Sequence, residues 1–244
     1  MAIYATAGAK VYIGTTAAID FTSYASALAA FAADSYTEIK PSETIGDFGD
    51  TSTDVKFLGV GDKRAQHLKG SQDGGVQQRQ FGFDATDPGQ IALKAAYASP
   101  NDYNHKITFN DAPSARSATV TITIASPGVV TWTGHNLAAN AAIQLATTGA
   151  LPTGLVAATT YYVKTVIDAN TFTLSATPGG SVINTTGTQS GVHTLTTVPS
   201  GTTVYWRGKV MSFKRMLGSG PDNVIKLSAD VGINTDQIEV PAAE

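Results

Sequence analysis

The stretch YTEIKPSETIGDFGD, residues 36–50, opens the part of the chain whose reading decides the fold. A polar run rich in Gly and Asp follows, up to Asp73-Gly74-Gly75, then a short strand-like run at 76–83, then Asp87-Pro88-Gly89-Gln90-Ile91-Ala92-Leu93-Lys94-Ala95. The last of these starts a helix. Asp87 supplies the acceptor that the orphan N–H groups of a first turn need, and Pro88 suits a first helical position, where no N–H is used. Ile91, Ala92, Ala95 and Ala96 are expected to make a narrow, small-residue face against a sheet. Residues 37–72 show little hydrophobic periodicity, and a compact domain seldom keeps so long a loop without a task for it. Within that loop, Gly59-Val60-Gly61-Asp62-Lys63 lacks the spacing of a phosphate loop and reads as a turn between two extended arms.

Working outward, Val11, Tyr12 and Ile13 centre a first strand at 9–14, and Phe21, Tyr24, Leu28 and Phe31 recur at helical spacing from Thr22 onward. In 76–83, Phe81 and Phe83 share a face with Arg79. Residues 105–110 read as a strand, with Ile107 and Phe109 on one side. Its return partner is delayed to 203–213, which is apolar on both faces, with Gly208 as a candidate bulge that switches the phase. Gly218–Asp222 reads as a turn, Ile225, Leu227, Ala229 and Val231 alternate along a further strand, and the tail after Ile238 reads as frayed.

Between 115 and 200 the composition changes. The only charged side chains there are Arg116, Lys164 and Asp168. Val120, Ile122 and Ile124 alternate with Thr119, Thr121 and Thr123. Further strands are read at 129–133, 142–146, 160–167, 171–176 and 192–196, separated by turns at Pro127-Gly128, Gly149, Pro152, Gly154, Asn170 and Pro178-Gly179-Gly180. Short strands at this spacing predict a small β-barrel or sandwich.

Composition narrows the function. With 42% hydrophobic residues the chain can build a proper core, while 14% charged residues is low, so its surface holds water through hydroxyls and suits wide protein contact. The net charge of −3 carries no basic footprint for nucleic acid. No cysteine is present, which removes disulfides, thiolate metal sites and a Cys nucleophile. His67, His105, His135 and His193 show no metal-pair spacing and read as surface or locally bonded groups. Asp47, Asp50 and Asp54 lack the spacing of a Ca²⁺ loop, and no Gly-x-Ser-x-Gly elbow occurs. No catalytic, metal or cofactor site is therefore expected, and the chain is not read as an enzyme. Residues 1–6 have no basic region or long apolar run and are not read as a signal peptide; no segment is read as membrane-spanning.

The order of YTEIKPSETIGDFGDTSTDV, LKGSQDGGVQ, DATDPGQIALKAAY, GTTVYWRGKVMSF and NVIKLSADVGI resembles the major tail tube proteins of long-tailed, non-contractile bacteriophages, over residues 8–112 and 201–240. TWTGHNLAANAAIQL and TTYYVKTVIDANTFTLSAT are more loosely similar to β-domains inserted in phage tail proteins. The resemblance implies a mainly β fold: a tail-tube-type β-sandwich or barrel with one flanking α-helix, over 1–114 and 201–244, plus an inserted all-β domain at 115–200 projecting outward. It implies hexameric rings stacked into a hollow tube in the virion tail, made in the cytoplasm of the bacterial host. The partners would be other copies of the chain and tape-measure, tail terminator and tail tip proteins, with DNA passing through unbound. Tyr36, Glu43, Ile45, Phe48, Phe57 and Leu58 are then candidates for ring stacking. Setting aside the three charges of 115–200 leaves 14 basic and 18 acidic groups (16 less two, 19 less one), a balance of −4. An acidic or neutral lumen lets a duplex slide, with Glu38, Glu43, Asp47, Asp50 and Asp54 as candidates to line it. The alternatives are a tube subunit of a related injection machine or gene transfer agent, and a carbohydrate-binding or adhesion protein presenting Trp132, Tyr161 and Tyr162 on the insert.

Overall fold

A computed structural model describes residues 4–218 and 223–244. In chain order the elements are β1 (Lys10–Ile13), α1 (Tyr24–Ala33), β2 (Thr37–Glu38), β3 (Ser42–Thr44), β4 (Thr51–Phe57), β5 (Gln66–Asp73), β6 (Val76–Gly82), α2 (Pro88–Tyr97) and β7 (Tyr103–Thr108). There follow β8 (Ser117–Ile122), β9 (Val129–Thr131), β10 (Ala142–Thr147), β11 (Thr160–Val166), β12 (Thr171–Ser175) and β13 (His193–Thr197), then β14 (Thr203–Met216), β15 (Lys226–Ile233) and β16 (Ile238–Val240). The chain is mainly β and divides into two compact units. Of the described residues, the first takes in 4–109, 203–218 and 223–240, the second Asn110–Thr202 and Pro241–Glu244. The last four residues, expected with the first unit, thus belong to the second.

The first unit is built on an antiparallel sheet in the order β2-β1-β7-β14-β15-β6-β3, with β16 also paired to β14. The 14-residue β14 is long enough to pair with β7 along one edge and with β16 and then β15 along the other. Its alternate residues face opposite sides. Val204, Trp206 and Val210 join Val11, Ile13, Phe81, Ile107, Leu227, Ala229 and Val231 in one buried cluster with Leu93 and Ala96 of α2. Tyr205 points the other way and stacks on Phe31 of α1, with ring centroids 5.4 Å apart. α2 covers one face of the sheet, and α1 packs on one end of the other through Phe31, Tyr205 and Ile238, where one flanking helix was expected; Met211, farther along β14, stays 58% exposed.

The phase of β14 changes at a register shift between Val210 and Ser212, not at Gly208. Gly208 serves a close approach instead: a Cβ there would stand 2.1 Å from the Gly232 carbonyl oxygen. The tail beyond Ile238 is paired rather than frayed. β16 lies against β14, and Ala243 exchanges backbone hydrogen bonds with Ser200 at 2.8 and 3.0 Å within the second unit. The expected turn at Gly218–Asp222 lies, after Gly218, outside the described residues.

α2 starts as its residues dictate. The Asp87 side chain accepts from Gln90 N at 2.8 Å, and Pro88 stands in the first turn. The buried face, however, is Gly89, Gln90, Leu93 and Ala96, while Ile91 and Ala95 are exposed. Gln90 sets that rotation: its Nε2 donates to the carbonyls of Lys40 (2.6 Å) and Gly82 (2.7 Å), and its Oε1 accepts from Asp84 N. A buried amide with its hydrogen bonds made outweighs an apolar stripe left in water, because unmade ones are costly.

The second unit is a closed six-stranded barrel, β10-β11-β12-β9-β8-β13, antiparallel throughout. Alternate residues fill it: Val120 and Ile122, Ile143 and Leu145, Tyr161 and Val163, Phe172 and Leu174, and Leu195. Its histidines are buried and locally bonded. His135 Nδ1 accepts from Leu137 N at 2.9 Å, so its Nε2–H donates to the Asp168 carbonyl at 3.0 Å. His193 bonds the Thr147 hydroxyl and the Gln189 side chain. Arg116 lies over the Trp132 ring, donates to the His135 carbonyl, and pairs with Glu244 through two nitrogens, fastening the chain's last residues to the barrel.

Candidate assembly surfaces

The stretch expected to be a loop, 37–72, is largely a β-hairpin. β4 and β5 pair only with each other, and their register sets Phe57 opposite Gln66, Lys56 opposite His67, Val55 opposite Leu68 and Asp54 opposite Lys69. Cross-strand partners share a face and neighbours along a strand alternate. One face of this arm therefore carries Val55, Phe57 and Leu68. The other carries Asp54, Lys56, His67 and Lys69. On that polar face Asp54 accepts from His67 Nδ1 at 2.9 Å and meets Lys56 Nζ at 3.6 Å. The arm turns through 58–65, where Asp62 N donates to the Gly59 carbonyl at 3.0 Å. Neither strand buries a residue: Phe57 and Leu58 are 60% exposed and Leu68 58%.

Of the residues expected to stack rings, Phe57 and Leu58 end the apolar face of the arm. Ile45 and Phe48 lie at its root and pack on the core, Phe48 stacking on Trp206 at 5.2 Å. Tyr36 is half-buried beside Tyr205 and Lys106, and burial, then Asp34 and Tyr205, push its hydroxyl's pKa up. Glu43 is ion-paired with Lys226. Ile45, Phe48 and Tyr36 thus pack within the first unit, while Glu43 stays exposed.

The five acidic candidates do not behave alike. Glu38 is half-buried with the Lys10 and Lys40 ammonium groups each 3.9 Å away, Glu43 faces Lys226, and Asp54 faces Lys56 and His67. Among the described residues no ion pair reaches Asp47 or Asp50. Asp50 instead lines a depression with Asp73 and Asp236, where the Gln237 amide donates to it at 3.4 Å.

The aromatic platform expected on the insert is not there. Trp132 is 8% and Tyr161 5% exposed; both are core residues of the barrel, and only Tyr162 is half-exposed. The barrel closes on itself, so the inward parity of β11 buries Tyr161 with Val163, and the Tyr161 hydroxyl is used by Val156 N at 2.8 Å.

Sequence reasoning missed one polar group. Arg79 on β6 is 0% exposed. Its Nε donates to Gln77 Oε1 at 2.9 Å and its Nη1 to His105 Nδ1 at 3.4 Å. Burial pulls its pKa down to about 9, and burial, then the Arg79 charge, hold His105 well below its ordinary range and neutral. The signal was present in the shared face of Arg79, Phe81 and Phe83. No protein-family model matches the chain, and no curated protein matches it significantly.

Proposed function

We propose that this chain is the structural subunit of a phage tail tube, assembling with copies of itself into stacked rings around a lumen that conducts DNA. The observation that carries the reading is the β4–β5 arm. A two-stranded hairpin on its own is marginally stable in water. This one presents Val55, Phe57 and Leu68 on one side, with Leu58 exposed in the turn that follows, and nothing lies over them. An apolar face rimmed by charge marks a protein contact. A second copy is the occupant that a repeating assembly supplies, and a contact between unlike surfaces propagates into rings or tubes. The order of sequence elements shared with tail tube proteins points the same way.

The charge pattern fits a wall that does not grip phosphate. Glu38, Glu43 and Asp54 are partly neutralised by their neighbours, and among the described residues no cation pairs with Asp47 or Asp50. A sugar-binding role for the barrel loses its motive, because Trp132 and Tyr161 are taken up by the core.

The arm should be loosely held in the free subunit, since ordering two strands costs conformational entropy that few internal contacts offset. Amide hydrogen exchange should be fast over 51–73 in the monomer and strongly slowed in the polymer. Equal protection in both states would remove the arm from the interface and with it the main support for this reading.

A further inference from the structure

The buried guanidinium of Arg79 has no carboxylate against it among the described residues, and its Nη2 has no hydrogen-bond partner. The indole Nε1 of Trp206, also 0% exposed, has none either. The two belong to one neighbourhood. Arg79 pairs in register with Ala229 of β15, whose small side chain lets the guanidinium cross that strand, and its Cζ lies 5.6 Å from the centre of the Trp206 ring. The guanidinium reaches two side-chain acceptors. Gln77 Oε1 takes Arg79 Nε, and His105 Nδ1 takes Nη1. With Nδ1 accepting, neutral His105 carries its proton on Nε2 and brings no negative charge. Gln77 Nε2 donates to the Gly46 carbonyl at 3.2 Å, and Phe48 stacks on Trp206, so the residues at the root of the arm lie against this group.

An unpaired charge in a low-dielectric interior costs several kcal/mol, and an unmade hydrogen bond adds to it. We propose that Arg79 and Trp206 form an internal site for a small monovalent anion of the halide class, chloride being the abundant one. The site offers one formal positive charge and three N–H donors without a partner, on Arg79 Nη2, Trp206 Nε1 and His105 Nε2, in aromatic and aliphatic surroundings. A divalent anion such as sulfate would leave a net negative charge buried, and a bulky carboxylate would have to displace the Phe48 cover. A monovalent ion cancels the guanidinium charge, accepts hydrogen bonds from these donors and sheds its hydration shell at less cost than a divalent one. The role is structural: the ion is the counter-charge of the first unit's core.

Trp206 makes the site observable. The chain has two tryptophans, and Trp132→Phe leaves Trp206 as the only reporter. Bromide, a heavy-atom quencher, should quench that buried indole saturably, with chloride competing and gluconate at equal ionic strength doing nothing. Chloride at 100 times its dissociation constant should raise the folding constant of the first unit about 100-fold over gluconate. In Arg79→Met both effects should vanish. Chloride-35 line broadening in the unmodified chain gives the same answer should either variant fail to fold. Halide-independent stability with no saturable quenching or broadening would overturn the proposal and leave these donors to buried water. Quenching that persists in Arg79→Met would place the halide elsewhere and overturn it as well.

Discussion

A Phe57→Asp, Leu68→Asp double variant should fold as the unmodified chain does and form no polymer. Both side chains are more than half exposed on a ribbon that buries nothing, so their loss leaves the subunit's stability within about 0.5 kcal/mol. In an assembled interface the same positions become the centre of a desolvated patch. Apolar anchors of that kind contribute ~2 kcal/mol or more each, and an unpaired carboxylate in their place adds a desolvation penalty. At ~1.4 kcal/mol per factor of ten, the two changes together weaken each contact by about a thousandfold or more. The polar face supplies the control: Lys56→Gln, on the opposite side of the same ribbon, should leave polymerisation near normal. Thermal melting followed by circular dichroism, with sedimentation of the same samples, separates the two effects. A double variant that polymerises at the unmodified protein's critical concentration would contradict the assignment.

Trp206→Ala should produce the largest loss of stability in the first unit and leave the barrel untouched. The indole is fully buried, packs between Phe48 and His105 with ring centroids 5.2 and 6.0 Å away, and lies beneath the Arg79 guanidinium. Removing it combines lost transfer energy with a cavity that a sheet of this width cannot close, a cost of about 3–5 kcal/mol. Against a total of about 5–15 kcal/mol that is a large fraction. For a unit of this size it lowers the melting temperature by roughly 10 °C. Trp132, inside the barrel, then reports the second unit alone. Calorimetry should show one transition displaced and one unmoved. Two transitions that move together would mean that the units fold as one; a shift of less than about 1 kcal/mol would mean that the core does not depend on the indole.

How much of this was legible depends on what each residue faces. The barrel strands were readable almost to the residue, because all but β12, which is buried on both sides, have one buried side and one wetter one: Val120 and Ile122 alternate with Thr119 and Thr121 for that reason. The end of α2 was readable from Asp87 and Pro88, but its buried face was not, because a polar residue, Gln90, fixes the rotation through bonds to Lys40 and Gly82, which are distant in sequence. The arm was read as a loop with a turn at 59–63 between two extended segments; the turn is there, but the pairing of the segments was not read. Asp54-Val55-Lys56-Phe57 and His67-Leu68-Lys69 do alternate, but over short runs that no buried face extends, and such strands carry a weak periodic signal. Trp132 and Tyr161 were surface candidates only under the sugar-binding alternative; aromatic residues in small β-domains are usually core, and closure of the barrel makes both core here. Arg79 was assigned the correct face, yet its full burial without a carboxylate follows from the small Ala229 beside it and from Phe48 over Trp206, contacts that join four separate segments.

The central claim is that the subunit is built to repeat, and electron microscopy of the purified chain tests it most directly. Negatively stained samples, concentrated stepwise and matched by sedimentation, should show rings and then hollow tubes of uniform diameter with a continuous lumen. Single particles that remain monomeric up to the solubility limit, with the β4–β5 arm intact, would contradict the account.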